Sequence, residues 1–309
     1  MTATAPGRAI AYAPGSTSNL GPGFDCLGVA FTGKGDRVRA EVVSTPGVRV
    51  VSVSDPRIPT DAARNTAAIA AAAVLRRVGS GQGLDLTLEK GLPLSGGMGG
   101  SAASAVAGAL AADAALGAAL SKHALLEAAL EAETVVAGRH LDNVAPSLLG
   151  GAVLVVAQDP PRFARVRVDR SLALVLATPA YEVETARARA VLPAGVSRKD
   201  AIAQASNLAA LLLGLERGEL DLVRASMRDL IAEPARAWLY PGYPEAKAAA
   251  LAAGALGVVV SGAGPTVVAI VPLATSQAVG AALVSGYRAV GIEAVAHEAQ
   301  VDEAGARVE

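Results

Sequence analysis

The chain has 309 residues, 52% hydrophobic and 18% charged, with a formal net charge of −1 at pH 7. That length suits one large domain or two medium ones, the composition excludes global disorder, and the near-neutral charge gives no reason to expect a nucleic acid or an anionic membrane as partner. Its single cysteine, Cys26, excludes an intramolecular disulfide and a cysteine-based zinc site. Alanine supplies much of the apolar fraction and aromatic residues only 3%, so helices packed through small side chains are expected. The amino terminus lacks the charged-then-apolar order of a signal peptide. The apolar run at 66–75 is too short for a bilayer and ends at Arg76 and Arg77, so a cytoplasmic location is expected.

In chain order, residues 8–12 read as a short strand followed by the loop PGSTSNLGPGFD. Residues 38–43 and 48–53 read as a hairpin joined by Thr-Pro-Gly. A helix is predicted over 65–78, with Asn65 as cap and Gly79 as stop, and a strand over 84–88. Further helices follow at 101–116 and 121–136, then a strand at 150–156. The proline-rich QDPPRF (158–163) is the candidate domain boundary, giving domains 1–160 and 161–309. Beyond it come a strand at 172–178 and helices at 198–217, 220–231 and 244–253. Strands at 258–260 and 267–271 flank a second glycine turn, SGAGPT. Hairpins mixed with crossovers favour an α+β fold.

The stretch PLSGGMGGSAAS (93–104) carries the most information. It lies between a strand and an alanine-rich helix, and its glycines let the backbone approach a ligand closely. The helix that starts after it points unpaired N–H groups and a partial positive charge into the loop, which makes an anion site. No Lys followed by Ser or Thr closes the loop, so it is not a Walker A sequence. A phosphate-binding loop of another kind is the leading reading, and a plain strand-to-helix turn is the alternative.

Three loops, PGSTSNLGPGFDCLG (14–28), PLSGGMGGSAAS (93–104) and SGAGPTVVAI (261–270), together resemble the signature motifs of the GHMP small-molecule kinases. HLDNVAP (140–146), TARARAVLP (185–193), AEPAR (232–236) and AGARV (304–308) are most similar to the branch that phosphorylates homoserine. The resemblance implies a two-domain fold, with an amino-terminal domain like ribosomal protein S5 domain 2 and a ferredoxin-like carboxy-terminal domain. It also implies ATP and Mg²⁺ as cofactors, L-homoserine as substrate for threonine synthesis, and a homodimer. Pro93, Leu94, Ser95, Gly96, Gly97, Met98, Gly99, Gly100, Ser101, Ala102 and Ala103 would bind ATP, with Asn65 beside the nucleotide.

Glu133 would hold the metal, with Glu131 as its competitor on another face. Gly100 departs from the family pattern, in which two serines follow the loop, and is expected to leave one metal position to water, Ser101 or Ser95. Arg189 and Arg236 would grip the substrate carboxylate, Asn19 and Asp25 its ammonium, and Thr185 a further part of it. His140, Asp142 and Asn143, in one loop, would lie where the reacting hydroxyl sits, and the resemblance implies that Asn143 aligns it without a base, because an amide accepts no proton at neutral pH. A kinase for mevalonate or a related alcohol is disfavoured by the paired arginines and HLDN. A nucleotide-binding protein without catalysis, suggested by Gly100, is disfavoured by Glu133, Asn143 and both arginines.

Overall fold

A computed structural model describes residues 7–136 and 138–309. Its first sheet has seven strands. β1 (Arg8–Asn19) and β2 (Gly23–Val43) form an antiparallel hairpin, so the segment expected to be a long loop continues as strand almost to its tip. Ser16 and Ser18 therefore share one face of β1.

The expected hairpin at 38–53 does not form. β3 (Gly47–Val53) pairs in parallel with β4 (Gly83–Glu89), and β4 lies between β2 and β3 in the order β1-β2-β4-β3. The Thr-Pro-Gly turn is local, but the edge of β2 is taken by a strand that returns after α1 (Thr66–Val78). That helix begins where expected. The Asn65 side chain accepts from the Ala68 N–H, and Gly79 ends the helix in the left-handed conformation.

α2 (Gly100–Leu116), α3 (Lys122–Val136) and α4 (Leu141–Leu149) follow. α2 is buried on nearly every side. A Cβ on Gly108 would sit 2.4 Å from the Ala67 carbonyl oxygen, so glycine is what permits α1 and α2 to touch backbone to backbone.

The HLDN segment, expected as a loop, is the first turn of α4, with His140 in the capping position. Pro146 lies inside this helix and cannot donate to the Asp142 carbonyl, which abuts Gly28 so closely that any side chain there would overlap it.

β5 (Ala152–Gln158) and β6 (Pro161–Val166) form a hairpin on β2. The expected divide at 160/161 falls inside that hairpin, so the first sheet keeps the chain to Val166. The carboxy terminus returns to the first sheet as β11 (Arg307–Val308).

The second sheet is antiparallel, β10-β7-β9-β8, from β7 (Leu172–Pro179), β8 (Gly257–Val260), β9 (Val267–Pro272) and β10 (Ala294–Ala299). This order, first strand beside the last, is the ferredoxin-like one. Alternation along β7 splits its side chains between two cores. Leu172, Leu174 and Leu176 join the core shared with the first sheet. Ala173, Val175 and Ala177 pack under α9 (Tyr243–Ala252) and α10 (Ser276–Ala289). α5 (Thr185–Ala190), α6 (Arg198–Arg217), α7 (Leu220–Ser226) and α8 (Ala232–Arg236) lie between β7 and α9. α7 stops at Ser226, short of the expected Ile231, where the Asp229 carboxylate gathers the N–H groups of Ile231, Ala232 and Glu233 into a turn that starts α8. Among the described residues no helix is long and apolar enough to cross a membrane.

Candidate active site

The three glycine-bearing segments converge on one cleft of about 540 Å³. Their backbones are stitched together. Ser16 N–H donates to the Met98 carbonyl at 3.1 Å, Gly262 N–H to Ser18 at 3.2 Å and Thr266 N–H to Gly96 at 3.3 Å. Gly97 and Gly99 have φ of +73° and +65°. A Cβ on Gly97 would lie 2.4 Å from the Ser261 carbonyl, and one on Gly99 2.2 Å from Ser16 Oγ. Glycine is required at both positions by conformation and by space.

Pro93, Leu94, Ser95, Gly96, Gly97, Gly99, Gly100 and Ser101 line the cleft. Met98, Ala102 and Ala103 do not; their side chains are buried in the core. The helix that leaves the loop starts at Gly100, and its first residues, Gly100 and Ser101, line the cleft, where a helix has unpaired N–H groups. Asn65 also lines the cleft, but its amide is committed, Oδ1 to the α1 cap and Nδ2 to the Pro59 carbonyl at 2.9 Å.

Glu133 reaches the same space from α3 and is 2% exposed. Its Oε1 accepts from Ser101 Oγ at 2.7 Å, and Oε2 is buried with no partner among the described residues. Burial drives its carboxyl up to about 7, with the nearby Asp142 adding to the rise and the Ser101 hydrogen bond and Lys90 opposing it. Glu131, the competitor, points away and pairs with Arg76 and Arg77. Of the groups expected to take the place left by Gly100 (water, Ser101 or Ser95), Ser101 is the one beside Glu133. A Cβ at position 100 would face Lys90 Nζ at 3.2 Å and the Pro93 carbonyl at 3.4 Å.

At the other end of the cleft, Asn143 is clamped by β1. Its Oδ1 accepts from Ser16 Oγ at 3.1 Å and its Nδ2 donates to Ser18 Oγ at 3.1 Å. His140 Nδ1 lies 3.1 Å from Arg189 Nη2. A guanidinium only donates, so Nδ1 accepts and the ring proton sits on Nε2. Arg189 also donates twice to Asp25, at 2.8 and 3.0 Å.

Arg236 is buried, its Nε donating to the Ala188 carbonyl at 2.7 Å and its guanidinium lying 5.0 Å from the centre of the Phe24 ring. Asn19 bridges two loops, Nδ2 to the Gly262 carbonyl at 2.9 Å and Oδ1 from the Asp25 N–H at 3.0 Å. Its amide shapes the site from both ends. Thr185, at the start of α5, lines the same end.

The sequence singles out Asp142 beside the reacting hydroxyl but gives no role to Ser16 or Ser18. The two serines were legible only if their segment was read as strand, where alternate residues share a face. Asp142 is 3% exposed and its carboxyl is pushed up to about 7, first by burial and then by Asp25.

A glycine-built helix terminus beside a buried carboxylate, facing a charged end suited to a small zwitterion, defines a small-molecule kinase cleft. The comparisons agree with it. The GHMP kinases N terminal domain matches residues 65–151 and the GHMP kinases C terminal domain residues 210–289, and the chain belongs to the GHMP kinase family. A homoserine kinase of Xanthomonas campestris pv. campestris (strain B100) is 38% identical over 97% of this chain and 94% of its own length. One of Xylella fastidiosa (strain 9a5c) is 39% identical over 100% and 96%. The crystal structure of homoserine kinase from Cytophaga hutchinsonii superposes with a TM-score of 0.95 at 37% identity, covering 99% of this chain and 98% of that one.

Proposed function

We propose that this chain transfers the γ-phosphoryl group of ATP to the side-chain hydroxyl of L-homoserine, giving O-phospho-L-homoserine for threonine synthesis. One observation carries the reading. A single cleft joins a helix N-terminus and an orphaned carboxylate oxygen to Asp25, Arg189 and Arg236, the charges that complement the two termini of an amino acid. Full-length relatives named homoserine kinase support the same substrate.

The loop amides from Gly96 to Ser101 cradle the phosphates, whose charge the helix terminus favours. Glu133 and Ser101 fit a hard divalent cation, because a buried carboxylate oxygen without a partner and an adjacent hydroxyl are both present. One carboxylate suits Mg²⁺, which completes its shell with phosphate oxygens and water. When bound there, Mg²⁺ would supply charge neutralisation on the transferring phosphate.

Arg189 and Arg236 take the substrate carboxylate and Asp25 its ammonium. This aims the hydroxyl at Asn143 and His140. The Asn143 amide, fixed by Ser16 and Ser18, aligns the hydroxyl without removing its proton. The proton passes to the phosphate, which a loose transition state permits. Serine is one methylene shorter, and a displacement of about 1 Å costs on the order of a hundredfold in rate.

ADP release measured with homoserine, serine, threonine and mevalonate in turn tests the proposal. Homoserine should give by far the highest kcat/KM. A higher value for mevalonate, or ADP release indifferent to homoserine, would overturn it.

A further inference from the structure

Neither Asp36 nor Lys90 stands out in the sequence, yet they make a buried ion pair at the foot of the phosphate loop. Asp36 is on β2 and wholly buried. Its Oδ1 accepts the N–H groups of Gly91 at 3.1 Å and Leu92 at 3.3 Å, just before the loop. Its Oδ2 accepts from Lys90 Nζ and, at 2.7 Å, from Ser104 Oγ, just after it. Lys90 Nζ also donates to the Gly100 carbonyl at 2.9 Å and to Ser104 Oγ at 3.1 Å.

Both partners are saturated. An ammonium has three protons, and all three are placed. A carboxylate has about four acceptor positions, and four donors fill them. Although Lys90 borders the cleft, it has no N–H left for a phosphate oxygen. The close approach of Gly91 to β2, where a Cβ would lie 2.2 Å from the Gly35 carbonyl, presses the loop entrance onto the same support.

We propose that Asp36 and Lys90 are positioning residues that tie the entrance of the phosphate loop to the first turn of α2, so that the loop amides are aimed before nucleotide arrives. This rests on the reading that residues 93–101 hold the nucleotide phosphates. Preorganisation of this kind strengthens binding because the ordering cost is met during folding.

Three variants test it: Asp36→Asn, Lys90→Met and the double variant. Three readouts apply: calorimetric affinity for Mg-ADP, amide hydrogen exchange of residues 95–101 without ligand, and KM for homoserine. Each single variant should bind ADP about tenfold or more weakly and exchange its loop amides faster. The homoserine KM should stay within about twofold, since the pair touches no part of that end. The double variant should be no worse than the poorer single one, because the two residues act as one tie.

Should a lone buried charge prevent folding of a single variant, the double variant, which removes both charges, carries the same readouts. Weak ADP binding in Lys90→Met beside normal binding in Asp36→Asn would make Lys90 a direct phosphate ligand and overturn the proposal. A lower melting temperature with normal ADP affinity and normal loop exchange would also overturn it. Wild-type protein that failed to bind ADP would instead refute the reading of the loop itself.

Discussion

Arg189 and Asp25 hold each other, Nη1 to Oδ2 at 3.0 Å and Nη2 to Oδ1 at 2.8 Å, in the part of the cleft proposed to take the two ends of an amino acid. Each side chain is about two-fifths exposed, at 39% and 41%. A pair that open contributes at most about 1 kcal/mol. A zwitterionic substrate offers both groups a new partner at once, so the pair is readily exchanged for substrate contacts.

Arg189→Ala should therefore raise the KM for homoserine while ATP affinity stays near normal. Loss of a charge-assisted bond costs about 1.5–3 kcal/mol, or roughly ten- to a hundredfold. Arg236→Ala should show the same KM effect together with a lower melting temperature, because Arg236 is buried and anchors the Ala188 carbonyl of α5. Steady-state kinetics beside thermal melts separate the two contributions. Equal weakening of ATP and homoserine by Arg189→Ala would refute the assignment.

Glu133→Gln should lower kcat strongly in a folded protein, since it removes the buried carboxylate beside Ser101. Glu131→Gln should leave kcat almost unchanged, because its partners are the exposed Arg76 and Arg77. A larger loss at Glu131 would move the metal to the other face of α3.

Positions 100 and 101 give different expectations. Ser101→Ala should raise the Mg²⁺ concentration needed for half-maximal rate. Gly100→Ser should not lower it, because its side chain would meet Lys90 and the Pro93 carbonyl rather than Glu133. Mg²⁺ titration at saturating ATP decides between them, and a reduced requirement in Gly100→Ser would show that position 100 faces the metal after all.

Glu133 and Asp142 give the ligand-free protein an unusual pH response. Burial raises both carboxyls to about 7, from 4.5 and 3.8. The folded state thus holds these protons more tightly than the unfolded chain does. Stability should fall as pH rises from about 4 to about 7 and then level off. Asp142→Asn should flatten this fall, as should Mg-ATP through Glu133. Melting temperatures across that range test the sign, and stability that rose through the window in a manner dependent on Asp142 would contradict it.

The parts of this molecule legible in its sequence were those set by local chemistry. The Asn65 cap and Gly79 stop fixed α1, and the glycines of 96–100 announced a close backbone approach. Features that depend on distant partners were not legible. β3 has good hairpin signals, yet β4 occupies the edge of β2 and β3 pairs beyond it. α4 was hidden by Pro146, which its own sequence window marks as a breaker and which Gly28 of another strand makes tolerable. In the site, it was the resemblance to the GHMP kinases, rather than residue type alone, that pointed to Glu133, Asn143 and the arginines. The groups that hold Asn143 and Glu133 come from separate stretches of chain, Ser16 and Ser18 on β1 and Ser101 on α2, and the Asp36–Lys90 pair under the glycine loop draws on two more.

The most direct test of the central claim is a crystal structure with L-homoserine and a nonhydrolysable ATP analogue bound together. The homoserine carboxylate should lie against Arg189 and Arg236 and its ammonium against Asp25, with the Arg189–Asp25 pair opened. The hydroxyl should sit beside Asn143, about 3–3.5 Å from the γ-phosphorus held over residues 96–101. Homoserine bound with its hydroxyl turned away from that phosphorus, or triphosphate bound outside the glycine loop, would contradict the account.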